Sequence, residues 1–188
     1  MKRIIKSMSK EYIEKSLELV EKVFTDHEGK EGGILNRELV KEIRSKEFYI
    51  PQLELIMVNE ADEIIGYAMF SPIHLEGKYS DALLMLTPVA VRTDMQRQHI
   101  SKELIEYGFK MATEMGYKAV IVEGNPQNYR ARGFKTSADY GIVAGESIDL
   151  PAIECLMVKE LVPKALEGIS GKLEYTDYIT LVGGAYNE

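Results

Sequence analysis

Two groups of residues in the second half of the chain have types and spacing suited to chemistry. The first is a strand-like run, Leu86-Thr87-Pro88-Val89-Ala90-Val91, followed by the polar loop Gln96-Arg97-Gln98-His99-Ile100-Ser101 and an amphipathic stretch to Met115. A strand, a tight loop and a helix N-terminus together offer unpaired N–H groups and the positive end of a helix dipole, which suits a phosphorylated ligand. Arg97 and Lys102 add cations able to make charge-assisted contacts with phosphate. The second group is Gly124-Asn125-Pro126-Gln127-Asn128-Tyr129, closing on Gly133-Phe134. A phenol of pKa about 10 can serve as a general acid.

Those groups need elements to position them. Arg3–Ser7 reads as a short strand, and Ser9 as the N-cap of a helix to Phe24 with Ile13, Leu17, Val20 and Phe24 on one face. Residues Thr25–Gly33 read as a polar glycine-bearing loop, and Asn36–Ser45 as a second helix. Strands are expected over Leu53–Asn59, Ile64–Pro72 and Asp81–Val91, with Glu60–Glu63 as a hairpin connection. Pro88 lacks a ladder donor, so its strand should bulge or part from a neighbour there. Ser101–Met115 is the best helix, striped by Ile100, Leu104, Gly108, Met111 and Met115, widened by Ile105 and Ala112, and stopped at Gly116. Ala119–Val122 reads as a buried strand, Gln127–Arg132 as a brief helix and Ile153–Val158 as another strand. From Pro163 the tail carries Gly168, Gly171, Gly183 and Gly184 among short apolar pieces, able to cover an edge, line a cleft or mediate a dimer.

Bulk properties bound the function. With 188 residues and 45% hydrophobic content, the chain can build one packed domain, expected over residues 1–160, with an extension over 161–188 on the same domain. The net charge of −7, from 30 acidic and 23 basic side chains, argues against generic nucleic-acid binding and tolerates a cationic amine. Cys155 is the one cysteine, so no intrachain disulfide forms; its apolar run, Ile153–Val158, predicts a buried small hydrophobe. No apolar run is long enough to span a bilayer, and Lys6 and Lys10 interrupt the N-terminus before a signal-like segment forms. A cytoplasmic protein without membrane partners is the expectation. His27, His74 and His99 lack metal-ligand spacing, so no metal is expected. No glycine fingerprint follows the first strand, which disfavours a dinucleotide oxidoreductase.

In order and spacing, the segment from Pro88 to Phe134 resembles the acyl-CoA site of the GNAT-type N-acetyltransferases, close to the bacterial predicted acetyltransferase branch. The resemblance covers nearly the whole chain and is weaker before Leu53 and after Lys159. It implies a mixed α+β fold: a mostly antiparallel sheet, helices on both faces and a splayed central strand pair. It also implies acetyl-CoA as acyl donor, with the pantetheine arm along Val89, Ala90 and Val91 and the diphosphate on Gln96, Arg97, Gln98, His99, Ile100, Ser101 and Lys102. His99 stands where the family pattern has its first glycine, and Ser101 where it has a second small residue. The His99 imidazole either crowds a phosphate or pairs with it, or the residue is a partly exposed loop position. Ser101 can donate to phosphate and cap the helix.

The same resemblance casts Tyr129 as general acid and the Val89 N–H as oxyanion donor; the alternative for Tyr129 is packing on the CoA arm. Asn125 either bonds that arm or caps the following helix. Relatives carry a glutamate in the strand before the loop, where this chain has Leu83-Leu84-Met85-Leu86. Glu123, Asp81 and His74 are the candidate bases, and none is assigned. Asp26-His27-Glu28 and Glu31 either border an acceptor pocket or form a solvated loop. Arg130 and Arg132 either reach CoA phosphates or face solvent. The implied activity is acetyl transfer to a primary amine of a small molecule or peptide, in a chain able to form a homodimer. The alternative is an acyl-CoA-binding sensor with weak or no catalysis.

Overall fold

A computed structural model describes residues 2–182; Gly183 and Gly184 of the tail lie outside the described residues. The strands are β1 (Ile4–Ser7), β2 (Glu54–Val58), β3 (Ile64–Pro72), β4 (Leu83–Val91), β5 (Ala119–Glu123), β6 (Lys135–Thr136), β7 (Ile142–Ala144), β8 (Leu156–Glu160) and β9 (Gly171–Leu173). The helices are α1 (Ile13–Ser45), α2 (Ile100–Glu114), α3 (Pro126–Tyr129) and α4 (Ile179–Val182). Seven strands form one sheet in the order β1-β2-β3-β4-β5-β8-β6, and β7 and β9 form a second, parallel pair. The registered pairs β1–β2, β2–β3, β5–β8 and β6–β8 are antiparallel, whereas β4–β5 is parallel. This is the mixed, mostly antiparallel α+β sheet expected.

The chain divides into two compact units, one of residues 2–71 with Thr87–Gly108, the other of Pro72–Leu86 with 109–182. In the first unit, helices cover both sheet faces. Successive strand residues point to opposite faces: Gly66 lies under Ile100 and Leu104 of α2, whereas the Tyr67 hydroxyl reaches Glu54 at 2.6 Å, where Arg44 of α1 also bonds. All nine residues of β3 are buried. In the second unit the core joins Leu83–Leu86, Ala119–Val122 and Leu156–Val158 with Phe109, Ala112 and Phe134.

α1 departs most from the sequence reading. The expected loop Thr25–Gly33 is helical, interrupted only at Gly29 (φ 83°, ψ 177°), a conformation that favours glycine. Beyond Gly29 the chain folds back. Arg37 bonds Glu21 at 3.0 Å and Arg44 bonds Ser16 at 2.7 Å, so the two arms run antiparallel about this single pivot. Polar composition and glycines suggested a loop; packing of the arms overrides that local signal.

Other expectations are corrected. Ser9 makes no side-chain cap; a 3-10 turn over Lys10–Tyr12 comes first and the helix proper begins at Ile13. Leu19 and Val23, not Ile13 and Phe24, complete the buried face with Leu17 and Val20. On α2, Phe109 is buried and Met115 is 47% exposed, so the stripe ends a turn early. Ile153–Cys155 is a 3-10 turn instead of strand, Ile153 is 58% exposed and Cys155 only half-buried; β8 starts at Leu156. The tail supplies β9, and its Leu173, Tyr175 and Tyr178 are buried in the second unit.

Candidate active site

The first unit holds the distal half of β4, the loop and the start of α2. β4 pairs in parallel with β5 at Leu83–Ala119, Leu84–Val120 and Met85–Ile121, then runs six residues further to Val91. Along that extension Thr87, Val89 and Val91 are half-buried, while Pro88 and Ala90 are buried, the alternation of a strand with one covered face. Arg92 turns the chain by donating its N–H to Ile65 at 3.1 Å, and a 3-10 turn over Thr93–Met95 buries Met95.

The loop itself has an unusual backbone. Arg97 (φ 60°) and His99 (φ 64°) both lie in the left-handed region, and neither is glycine. His99 is exposed; its carbonyl accepts the first helical bond from Glu103 N–H at 3.0 Å. The helix thus begins at Ile100, and Ser101 sits in its first turn instead of capping it. The positive end of the α2 dipole lies at this first turn, Ile100–Lys102, which is where a bound anion would be favoured. Arg97 is exposed, and Lys102 makes only a loose pair with Glu106 at 3.8 Å.

The loop is tied at both ends. Gln96 Nε2 lies 2.8 Å from His27 Nε2 and donates to the Val91 carbonyl at 3.4 Å. Thr93 donates to Asp26 at 2.7 Å. Asp26 and His27, expected beside an acceptor pocket or in a solvated loop, are therefore helical residues bonded to the turn and loop after β4. Gln98 receives two donors from Arg3, to its carbonyl at 2.8 Å and its Oε1 at 3.1 Å. Nothing in the sequence pattern marked Arg3, because its partner lies 95 residues away.

In the second unit, α3 starts just past β5. Asn125 caps it, its Oδ1 accepting from Gln127 N–H at 2.9 Å, so its Nδ2 donors are the part left for another partner. The Tyr129 ring lies against Gly124, where an added Cβ would sit 2.8 Å from Cε2, and edge-on to Phe134 with centroids 5.6 Å apart. Burial pushes the Tyr129 phenol above its ordinary pKa, with the nearby Arg132 guanidinium opposing it weakly, so the hydroxyl keeps its proton at neutral pH. Arg132 lies 5.8 Å over this ring and donates to the Asn128 carbonyl, while Arg130 is exposed.

The candidate bases are largely engaged. Glu123 accepts from the Tyr175 hydroxyl at 2.7 Å. His74 accepts the Gly77 N–H on Nδ1 at 2.9 Å and faces Asp177 with Nε2 at 2.8 Å, which places its proton on Nε2. Asp81 is exposed. Among the described residues no group of three or more His, Cys, Asp or Glu is placed to hold a metal ion, and no helix is long and apolar enough to cross a membrane.

Against known proteins, the model of the acetyltransferase (GNAT) family matches residues 17–137. The chain belongs to the GNAT family of acetyltransferases. This acetyltransferase is 29% identical to the uncharacterized N-acetyltransferase YhbS of Escherichia coli K12 over 141 residues, 74% of this chain and 80% of the relative. The crystal structure of E. coli YhbS in complex with CoA has the same fold, with a TM-score of 0.80 at 24% identity over 93% of this chain and 90% of that one. A GNAT acetyltransferase from Brucella melitensis in complex with acetyl-CoA gives 0.72 at 18% identity over 93% and 96%.

Proposed function

We propose that this enzyme transfers the acetyl group of acetyl-CoA to a primary amine of a small molecule or peptide. The observation that carries the reading is the stretch Gln96–Lys102: a tethered loop delivering the chain into the N-terminus of a 15-residue helix, with Arg97 exposed and Lys102 only loosely paired. That arrangement suits a diphosphate, since the first-turn amides and the helix dipole both favour negative charge. The complexes of YhbS with CoA and of the Brucella protein with acetyl-CoA support the choice of co-substrate.

In this reading Val89, Ala90 and Val91 offer backbone groups to the pantetheine arm, much as a strand edge takes an added strand. The Asn125 Nδ2 group donates to the same arm. The neutral amine attacks the thioester carbonyl carbon, a C–N bond forms, and the Val89 N–H bonds the oxygen as its charge develops. As the C–S bond breaks, Tyr129 gives its proton to the thiolate sulfur; the amine's surplus proton leaves to water, and water returns a proton to the Tyr129 phenolate. The products are an N-acetyl amine and CoA with a free thiol.

Calorimetry with acetyl-CoA and thiol release across a panel of amines test the proposal. Tyr129→Phe should cut turnover about a hundredfold while leaving CoA affinity near wild type. Equal turnover of the two proteins removes Tyr129 from the acid role. Binding without amine-dependent thiol release makes the chain an acyl-CoA sensor, and no binding of any acyl-CoA defeats both readings.

A further inference from the structure

We propose that Arg3 and His27 are positioning residues for the diphosphate loop, one aiming the Gln98–His99 peptide and the other holding the Gln96 side chain. The inference rests on the proposed use of that loop for CoA.

Arg3 stands immediately before β1 and presents a guanidinium fork to one residue of the loop. Nη1 donates to the Gln98 carbonyl at 2.8 Å and Nη2 to Gln98 Oε1 at 3.1 Å, while Glu103 Oε1 balances the charge at 3.5 Å from Nη1. The Arg3 side chain is 21% exposed, so the fork is held mostly out of solvent. The Gln98–His99 peptide is trans, since the cis bond of the described chain is Thr87–Pro88. In a planar trans peptide the carbonyl and the following N–H point in opposite directions. Fixing the Gln98 carbonyl on Arg3 therefore turns the His99 N–H away from the guanidinium, ready for an anion on the other side.

Gln98 is flanked by Arg97 and His99, the two residues with positive φ. Side-chain-bearing residues adopt that conformation at a cost, so a glycine-free loop needs outside contacts to keep it.

His27 provides the second contact. The Gln96 amide nitrogen faces both His27 Nε2 and the Val91 carbonyl. The carbonyl can only accept, which fixes the amide with its NH2 on this side, so His27 Nε2 is an acceptor and its ring proton sits on Nδ1. Asp26 bonds Thr93 next to it, so one turn of α1 grips the chain on both sides of Met95. The grips on Gln96 and Gln98 come from residues 69 and 95 positions away.

The test is calorimetry of the full chain with CoA, alongside competition by S-acetylpantetheine, which lacks the diphosphate. Arg3→Ala and His27→Ala should each weaken CoA about tenfold, through loss of a charge-assisted fork in one case and of an amide's acceptor in the other. Affinity for S-acetylpantetheine should hold. His27→Gln, whose Oε1 reaches the place of Nε2, should restore CoA binding. Arg3→Lys should fall between, because lysine keeps the charge and loses the fork. Equal loss for both ligands, or failure of His27→Gln to restore, assigns a merely structural role and overturns the proposal. If Arg3→Ala does not fold, Arg3→Lys at wild-type affinity overturns it instead. Failure of the wild type to bind CoA defeats the functional reading itself, a different outcome from wild-type binding left unchanged by the variants.

Discussion

His99 sits where a glycine would be less strained, and the structure shows what the substitution costs. Its φ of 64° is a conformation that costs an L residue about 1–2 kcal/mol. Glycine would relieve that strain but add about 0.5–1 kcal/mol of unfolded-state entropy, so the net gain is at most about 1.5 kcal/mol. His99→Gly should therefore leave the thermal midpoint within a few degrees of wild type. Because the imidazole is exposed and the proposed diphosphate contacts are made by the loop backbone and helix dipole, CoA affinity should be equal or tighter. A tenfold loss by calorimetry would show that the imidazole itself contacts phosphate. Gln96, Tyr129 and the His99 departure stand out in the sequence, because each belongs to a short pattern of fixed spacing. Arg3 does not, since only folding brings β1 beside Gln98. The sequence alone allows Asn125 two roles, and the 2.9 Å bond from Gln127 shows that its oxygen is the cap.

Among the elements, β3 and α2 were readable almost to the residue, because a fully buried nine-residue run and a helical stripe are strong local signals. β6, β7 and β9 were not, being two or three residues long with no alternation to read. Local sequence makes α1 look like two helices with a loop between, because it carries no sign of the tertiary pairing of its arms. That pairing centres on Arg44. Its guanidinium donates to Glu54 from Nε at 3.0 Å and from Nη2 at 2.6 Å, and bonds Ser16 at 2.7 Å. Glu54 is fully buried and also accepts from the hydroxyls of Tyr49 and Tyr67. Removing one partner of such a pair strands the other charge in a dry setting. Arg44→Ala should thus cost about 3–5 kcal/mol in urea unfolding, far more than an exposed pair such as Lys41–Glu38, worth about 0–1 kcal/mol. A loss below about 1 kcal/mol would mean that apolar packing of Leu39, Val40 and Ile43 holds the second arm without the ion pair.

For the molecule as a whole, buried phenols set a limit that the net charge of −7 does not reveal. The chain has 11 tyrosines. Burial raises the pKa of Tyr49 and Tyr67 in the first unit and of Tyr129 and Tyr175 in the second, and for Tyr49, Tyr67 and Tyr175 a carboxylate within hydrogen-bond distance adds to the effect. In the unfolded chain these phenols ionise at a pH of about 10. Above that pH the unfolded state has released protons that the folded state still holds, so the linkage works against folding. Their contribution to stability is complete below the unfolded pKa and is lost as pH climbs towards the raised folded values. The thermal midpoint should therefore stay level up to a pH of about 10 and then fall steeply. Tyrosinate absorbance should rise in two stages, the exposed phenols first and the buried and half-buried set with raised pKa only with loss of helical circular dichroism. Because both units carry such phenols, unfolding at high pH should involve the whole chain. A single smooth titration of all the tyrosines with the circular dichroism unchanged would mean that water reaches these rings in the folded protein. That outcome would also remove the basis for keeping Tyr129 protonated at the pH where an amine nucleophile is neutral.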